Sequence, residues 1–213
     1  MKRLGIFLFI LSVVVLTFLN GTAMAATEVG GPQVKELRFD PDRPETGDDL
    51  KLRIILDGNA VRAEAKFLKN QQDAGSTYYD GIAEFVKMDQ PVRAGDKIEV
   101  FVTPFSAEGT PGNTVTKKVE VLNAAPTAKI VDQKLAGNTY SARIVAEDPE
   151  GEAVTFTLKE GPKGLTVDNK GYVNWKFSEN VSGSFVVAIS IKDAKGAESV
   201  LSYSIGLRWQ SGR

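Results

Sequence analysis

Four acidic residues in the second half of the chain have the type and spacing of cation ligands. Asp148, Glu150 and Glu152 occupy alternate positions in a segment that also contains turn-forming Pro and Gly, and Asp193 stands in a later turn. Ca²⁺ is bound by loop carboxylates and carbonyls, about six to eight oxygens in all. The pattern therefore predicts a weak calcium site. The alternative is that Asp148 and Asp193 only cap turns, as Asp commonly does beside Pro or Gly.

Aromatic residues are the second candidate for binding, because a carbohydrate site would present several coplanar rings. Trp175 shares strand parity with Val173 and Phe177, which predicts that all three side chains point into a core. Tyr172 has the opposite parity and is predicted to be exposed. Trp209 follows the last predicted strand in a polar tail, where it either covers the end of the domain or anchors a partner. Tyr172 and Trp209 are therefore the candidate partner-binding residues.

The residue types that most enzymes depend on are missing. The chain has no His and no Cys, so the commonest general base and the thiol nucleophile are both absent. Neither a nucleophile elbow nor a phosphate-binding Gly-rich loop is present. A carboxylate pair acting on a sugar is the remaining catalytic option, and we predict that the protein is not an enzyme.

The N-terminus has the order of a secretion signal. Lys2 and Arg3 precede an apolar stretch over residues 4–19, and Ala23-Met24-Ala25 supplies a small-x-small cleavage triplet. This order predicts a cleaved signal peptide, with the mature chain beginning at Ala26 in the periplasm or outside the cell. An uncleaved anchor is the alternative, although the apolar run is short for a membrane span of about 20 residues.

The charge balance limits the class of partner. Removing Lys2 and Arg3 from 26 basic residues leaves 24 against 27 acidic residues, a net charge of −3. A nucleic-acid partner or an anionic membrane would require a basic surface. The absence of Cys from an exported chain favours a bacterial source. We therefore expect an envelope or surface protein as the partner, with a glycan as the alternative, and no membrane span in the mature chain.

Apolar residues alternate along the first half of the mature chain, which is typical of half-buried strands and not of helices. Three runs show the pattern: Leu50, Leu52 and Ile54; Val61, Ala63, Ala65 and Phe67; and Ile98, Val100 and Val102. After residues 124–126, which end in Pro126, the pattern starts again. Seven further strands are predicted over residues 127–131, 139–146, 154–158, 165–167, 172–177, 184–192 and 199–207. This number is typical of an immunoglobulin-type sandwich.

Several motifs of the second half resemble the bacterial cadherin-like, or putative immunoglobulin-like (Ig-like), domain family. In order, the motifs are Ala146-Glu147-Asp148-Pro149-Glu150-Gly151-Glu152-Ala153-Val154-Thr155-Phe156, Gly161-Pro162-Lys163-Gly164-Leu165-Thr166-Val167-Asp168, Lys170-Gly171-Tyr172-Val173-Asn174-Trp175, and Gly183-Ser184-Phe185-Val186-Val187 with Asp193-Ala194-Lys195-Gly196. The likeness covers about residues 125–207, and the first half is only generally Ig-like.

The resemblance implies that the turns holding the four acids meet at one end of the second sandwich. In cadherin-like relatives such acids clamp an ion at the domain joint, together with a linker rich in Asp and Asn. Here the joint offers only Asn123 and two alanines. We therefore expect calcium, if bound, to be bound weakly and to be dispensable for folding.

Together these patterns predict an all-β protein of two tandem Ig-like β-sandwich domains after a cleaved signal peptide. The expected boundaries are a signal peptide at 1–25, a flexible leader at 26–32, a sandwich at 33–123, a linker at 124–126, a second sandwich at 127–209 and a tail at 210–213. The expected function is a non-enzymatic, exported binding and spacer module that engages another protein through sheet edges or end loops. A carbohydrate-binding accessory protein of the bacterial surface is the alternative.

Overall fold

A computed structural model describes residues 30–82 and 85–208. The predicted signal peptide and Trp209 lie outside these residues. The described residues form β-strands and no α-helix, so the predicted all-β class is confirmed. The strands are β1 (Gln33–Asp40), β2 (Lys51–Asp57), β3 (Ala60–Lys69), β4 (Gln72–Tyr79), β5 (Val86–Lys87), β6 (Lys97–Ser106), β7 (Val115–Glu120), β8 (Thr127–Ala136), β9 (Thr139–Glu147), β10 (Thr155–Glu160), β11 (Thr166–Val167), β12 (Tyr172–Lys176), β13 (Gly183–Lys192) and β14 (Glu198–Leu207).

The strands pair into four antiparallel sheets. Two sheets, in the orders β1-β2-β5 and β4-β3-β6-β7, come from the first half of the chain; the other two, β10-β13-β14 and β11-β12-β9-β8, come from the second. Leu52 of β2 and Val100 of β6 are both fully buried in one apolar cluster, so the first two sheets enclose a common core. The first half is therefore a sandwich of two sheets.

A second apolar cluster lies between the other two sheets. Val173 and Trp175 of β12 and Ile189 of β13 belong to it. No residue of the first cluster is shared with the second. The separation into two cores agrees with two tandem sandwiches, although the predicted boundaries at 123–127 stay a prediction.

The alternating patterns locate most of the core. Leu50, Leu52 and Ile54 are all buried, as their spacing predicts. Val61 differs, because its side chain is 47% exposed although the pattern assigned it to the face of Ala63. The pairing of β3 with β6 shifts between Ala60 and Arg62. This β-bulge leaves Val61 without a partner and turns it out of the core.

The second half has the seven predicted strands, with small differences at their ends. The largest difference is at the end of β8, which was predicted over residues 127–131 but continues to Ala136 and forms a hairpin with β9. Gly171 precedes β12 with φ +80°, and its carbonyl accepts a hydrogen bond from the amide of Ile144. A Cβ atom at residue 171 would lie 2.4 Å from the Ile144 carbonyl oxygen, so only Gly fits there.

Within the described residues, no helix is long and apolar enough to cross a membrane.

Candidate functional sites: an acidic cluster at the joint and an open sheet edge

The turn after β9 is built around the side chain of Asp148. Its Oδ1 accepts hydrogen bonds from the amides of Glu150 (3.0 Å) and Glu152 (2.9 Å). The Asp148 carbonyl accepts a third from the amide of Gly151 (3.0 Å), whose φ of +77° a Gly adopts without strain. Asp148 is therefore a turn cap, as the alternative interpretation of the sequence predicted.

Asp193 organises the turn between β13 and β14 in the same way. Its side chain is buried, and Oδ1 accepts hydrogen bonds from the amides of Gly196 (2.5 Å) and Ala197 (2.9 Å). Burial acts to raise the pKa of Asp193. Hydrogen bonds from the Asn123 side chain and the turn amides outweigh burial and hold that pKa below its usual value.

The joint between β7 and β8 contacts both turns. Asn123 Nδ2 donates to Asp193 Oδ2 at 2.5 Å, and the amide of Ala124 donates to Glu150 Oε1 at 3.2 Å. The structure therefore brings Asp148, Glu150, Glu152 and Asp193 to the joint, as the resemblance implied. We call these four residues the acidic cluster. The residue types of the joint did not predict its contact with Glu150, because the Ala124 backbone amide makes that contact.

Three carboxylates of the acidic cluster each leave one oxygen without a partner. Asp148 Oδ2, Glu150 Oε2 and Glu152 Oε2 are buried and accept no hydrogen bond from the described residues. A buried, unpaired carboxylate oxygen is costly, and a nearby cation would lower that cost. Turn capping and cation binding are thus compatible at Asp148, because each uses a different oxygen.

The cluster has the ligand chemistry of a calcium site without a ready-made cage. Its free oxygens are the hard ligands that Ca²⁺ takes. However, no group of three or more acidic side chains in the described residues is arranged to hold a metal ion. A bound ion would have to draw the carboxylates together, which costs affinity.

Lys195 supplies a positive charge beside the acidic cluster. Its ammonium lies 2.5 Å from Glu152 Oε1 and 3.4 Å from Asn123 Oδ1. The hydrogen bond with Glu152 raises the pKa of Lys195 above its usual value, against the effect of burial. The charges of Glu152, Glu150 and Asp148 act in the same direction. The sequence interpretation missed Lys195, although it stands in the quoted motif ending at Gly196.

Strand β14 is an edge strand, with only β13 beside it. Its ten residues pair with β13 without a register shift. Ser199 Oγ donates to the carbonyl of Pro126, which covers the start of the strand. Beyond that point Val200, Ser202 and Ser204 face solvent. An edge strand presents unpaired N–H and C=O groups, to which another extended chain can pair.

Of the two candidate partner-binding aromatic residues, Tyr172 lies within the described residues. Tyr172 is exposed, with 44% of its surface accessible, and the Arg143 guanidinium lies 5.4 Å from its ring centroid. Tyr78, on β4, is 72% exposed. Because β4 and β12 belong to different sheets in different halves of the chain, these two rings do not share one sheet face.

Comparison with known families finds a match in the second half of the chain. Residues 120–207 match the model of the family described as "Putative Ig domain". The predicted resemblance is confirmed, and this part of the chain is a generally Ig-like domain. Integrin beta-like protein A of Dictyostelium discoideum is 40% identical over 68 residues, which are 29% of this chain and 3% of that protein. The chain thus spans a small part of that relative's length.

Solved structures with a similar arrangement are distant. The fibronectin(III)-like modules of Clostridium thermocellum CbhA have 17% identity and a TM-score of 0.32, covering 81% of this chain and 94% of theirs. A two-domain fibronectin type-III segment of chicken tenascin has 15% identity and a TM-score of 0.39, covering 82% and 99%. Bacteroides ovatus SGBP-B, solved with a mixed-linkage heptasaccharide, has 14% identity and a TM-score of 0.30, covering 82% and 47%. TM-scores this low support no functional assignment.

Proposed function

Because residues 120–207 match an Ig-type family model, we propose that the chain is a non-enzymatic, exported binding and spacer module of the cell envelope or extracellular space. It engages another protein through a sheet edge. Ig-like sandwiches are used in many proteins for many purposes, so the proposal depends on particular surfaces of this chain and not on the fold alone.

The observation that carries the proposal is the open edge of β14. The other edge strands of the described sheets are protected in recognisable ways. Strands β5 and β11 have two residues each, and β7 is short and carries two lysines. The pairings of β1, β4, β8 and β10 all contain register shifts. Strand β14 is the long edge strand that lacks a bulge, a lysine and a proline, and such an edge favours strand addition.

The surroundings of this edge indicate the chemistry of the partner. Leu135 of β8 is 55% exposed and, with residues 204–207 of β14, lines an open groove of about 220 Å³. A chain paired to β14 would pass beside this groove, where alternate side chains could bury against Leu135. The proposed partner segment is therefore extended and carries at least one apolar residue.

A pull-down from envelope extracts, run in parallel with a glycan array, tests the proposed class of partner. We expect the chain to retain a polypeptide and to ignore every sugar. Retention of a glycan and no polypeptide would contradict the proposal. That result would favour the carbohydrate-binding alternative, for which Tyr172 is the candidate ring on the second domain.

Export is a separate part of the proposal and depends on the N-terminal sequence. Lys2, Arg3 and the Ala23-Met24-Ala25 triplet support cleavage before Ala26. Mass spectrometry of the protein from its native host should find a chain beginning at Ala26. A mature chain that still begins at Met1 would contradict both cleavage and the proposed location.

We also propose that the acidic cluster binds calcium weakly, on the observation of its three free buried oxygens. Asp148, Glu150 and Glu152 would hold the ion, and its charge would offset the repulsion among them. Ligand binding stabilises the folded state by RT ln(1 + [L]/Kd), so a Kd of about 1 mM gives only roughly 1 kcal/mol at a few millimolar calcium. Folding should therefore not require the ion.

Melting in EDTA and in calcium, with two matched variants, tests this second proposal. Calcium should raise Tm by a few degrees at most, and Asp148→Ala should remove the shift. Asp168→Ala is the control, because Asp168 caps a turn in the same way, through the amides of Lys170 and Tyr172, away from the cluster. A chain that is unfolded in EDTA, or a shift that survives Asp148→Ala, would contradict the proposal.

A further inference from the structure

The open edge of β14 can pair with the same edge of a second copy of the chain, but only in certain registers. Alternate residues of β14 direct their N–H and C=O groups to β13, and the others direct them to the open edge. Residues that lie opposite each other in an antiparallel pair have the same hydrogen-bonding role. Two copies of β14 therefore pair about a two-fold axis that passes through one residue of the strand.

The uncovered length of β14 leaves two of these registers. The contact of Ser199 with Pro126 covers the start of the strand, and the strand ends at Leu207. An axis through Tyr203 pairs residues 200–206 of the two copies, and an axis through Ser204 pairs residues 201–207. An axis through any other residue pairs a shorter part of the uncovered strand.

Charge complementarity selects between the two registers. An axis through Tyr203 places Glu198 of each copy opposite Arg208 of the other, on one face of the joined sheet. The opposite charges then meet at both ends of the paired segment. An axis through Ser204 places Arg208 opposite the exposed Val200 and leaves Glu198 beyond the pairing. The register about Tyr203 is therefore favoured.

Glu198 keeps one carboxylate oxygen for this contact. Its Oε1 accepts a hydrogen bond from the Ser190 hydroxyl at 2.6 Å and lies 3.2 Å from Lys159 Nζ. Hydrogen bonds from Ser190 and Lys159 hold the pKa of Glu198 below its usual value, so the side chain is ionised at neutral pH. Both contacts use Oε1, which leaves Oε2 for the guanidinium of a second copy. Arg208 is exposed, and arginine is well suited to pairing with a carboxylate.

The groove between β8 and β14 fits the same register. It is lined by Leu135, which is 55% exposed, and by residues 204–207. With the axis at Tyr203, residues 204–206 lie opposite residues 200–202 of the second copy. Leu201 is the core-facing member of that segment and is only partly buried. Leu201 of the second copy would therefore cover the apolar side chain of Leu135.

We infer that the edge of β14 holds two copies of this chain together, paired antiparallel about Tyr203 with Glu198 and Arg208 opposed at both ends. The inference rests on the proposed function, because the second copy occupies the same edge until another protein displaces it. Self-pairing would protect the edge from uncontrolled strand addition. Each copy has one β14 edge, so the assembly closes as a dimer. One short strand pair is small beside the about 1,200–2,000 Å² of stable interfaces, so we expect a weak dimer with a roughly micromolar Kd.

Charge reversal in the full chain beginning at Ala26 tests the inference by analytical ultracentrifugation. Arg208→Glu and Glu198→Arg each place like charges opposite each other twice, so each variant alone should dimerise at least about tenfold more weakly than wild type. In an equal mixture the two variants oppose unlike charges again, and dimers should form with an affinity near that of wild type. Lys176→Glu is the control, because it makes the same change of charge as Arg208→Glu on β12, away from the edge.

Wild type should form dimers and no larger species between about 10 μM and 1 mM. A monomer throughout this range would overturn the inference, as would Arg208→Glu dimerising like wild type or a mixture no tighter than its components. Melting shows whether each variant is folded. If Glu198→Arg is not, the comparison of Arg208→Glu with Lys176→Glu decides.

The pull-down separates this inference from the proposed function. A monomeric wild type that still retains another envelope polypeptide would remove the dimer and keep the proposed function. A pull-down that retains this chain and no other polypeptide would remove the proposed partner and support the dimer.

Discussion

Trp175 is held in the second core by contacts on several sides. Its ring centroid lies 4.9 Å from those of Phe177 and Phe185, and its indole N–H donates to the carbonyl of Lys163 at 3.2 Å. Only 3% of its surface is exposed. A buried Trp with its polar atom satisfied is a structural residue, so this ring is not available as a sugar platform.

We expect Trp175→Ala to lower the free energy of unfolding by about 3–5 kcal/mol, the usual cost of emptying a large aromatic site. Denaturant titration measures the change. Tyr172→Ala is the control on the same strand, and because its ring is exposed the cost should stay below about 1 kcal/mol. Equal costs for the two variants would show that the parity of β12 is wrong.

In the first half of the chain, the side chain of Asp96 stabilises a turn. Burial acts to raise its pKa, but hydrogen bonds from Lys69, Asn70 and the Arg93 amide outweigh burial, and the pKa lies below its usual value. Lys69 Nζ is 2.8 Å from Asp96 Oδ2, and Asn70 Nδ2 is 2.8 Å from Oδ1. The ionised carboxylate therefore stabilises the turn before β6.

A carboxyl whose pKa is lower in the folded protein stabilises it above the unfolded pKa of about 4, and the effect is lost as the pH falls through the folded pKa. We therefore expect Asp96→Asn to lower Tm by a few degrees at pH 7. The difference from wild type should shrink at pH 3. A difference that is constant between pH 7 and pH 3 would exclude the charge as its cause.

At the scale of elements, periodicity predicted three strands of the first half, β2, β3 and β6, and most of their residues that face the core. Leu50, Leu52 and Ile54 of the first half are all buried, as their alternation with polar residues predicts. Val61 does not, because a bulge depends on how two strands pair and not on the polarity of one. Single-strand patterns therefore cannot find such a position.

The members of the acidic cluster were predictable from the sequence, but some of their contacts were not, because those contacts depend on how distant segments pack together. The four acids could be named from residue type, and the resemblance implied that their turns meet. The contacts of the Ala124 amide and the Lys195 ammonium depend on how the joint is folded. Neither residue carries a local signal of that role, since Ala124 contributes only its backbone and Lys195 stands in an ordinary exposed turn.

A substitution at Gly171 tests the close approach of β9 to β12, the strand that contains Tyr172 and Trp175. We expect Gly171→Ala to cost roughly 1–3 kcal/mol from its positive φ alone, with a further cost from the close approach to the Ile144 carbonyl. Gly164→Ala is the matched control, because its φ is +89° but nothing lies within 4 Å of the added Cβ. Chemical denaturation should show the larger loss for Gly171→Ala. The reverse order would mean that β9 and β12 do not approach each other as described.

For the whole molecule, the separation of the two apolar clusters predicts that the halves fold independently. Residues 124–213 expressed alone should give a soluble protein with a β-type far-UV spectrum and one cooperative unfolding transition. We expect this fragment to be somewhat less stable than the same domain in the full chain, because it lacks the contact of Asn123 with Asp193. An insoluble or helical product would show that the predicted boundary is wrong.

The central claim is that the chain engages another protein through the edge of β14. One comparison of binding tests this claim most directly. Val200 lies on β14 and Val186 on the central strand β13, and the two side chains are similarly exposed, at 56% and 49%. A lysine on an edge strand blocks the addition of another strand, whereas a lysine on the face of a central strand does not. Envelope polypeptide retained by wild type, Val200→Lys and Val186→Lys is measured after melting confirms that all three are folded. We predict that wild type and Val186→Lys retain the same polypeptide and that Val200→Lys retains at least about tenfold less. Equal retention by Val200→Lys and wild type would contradict the account.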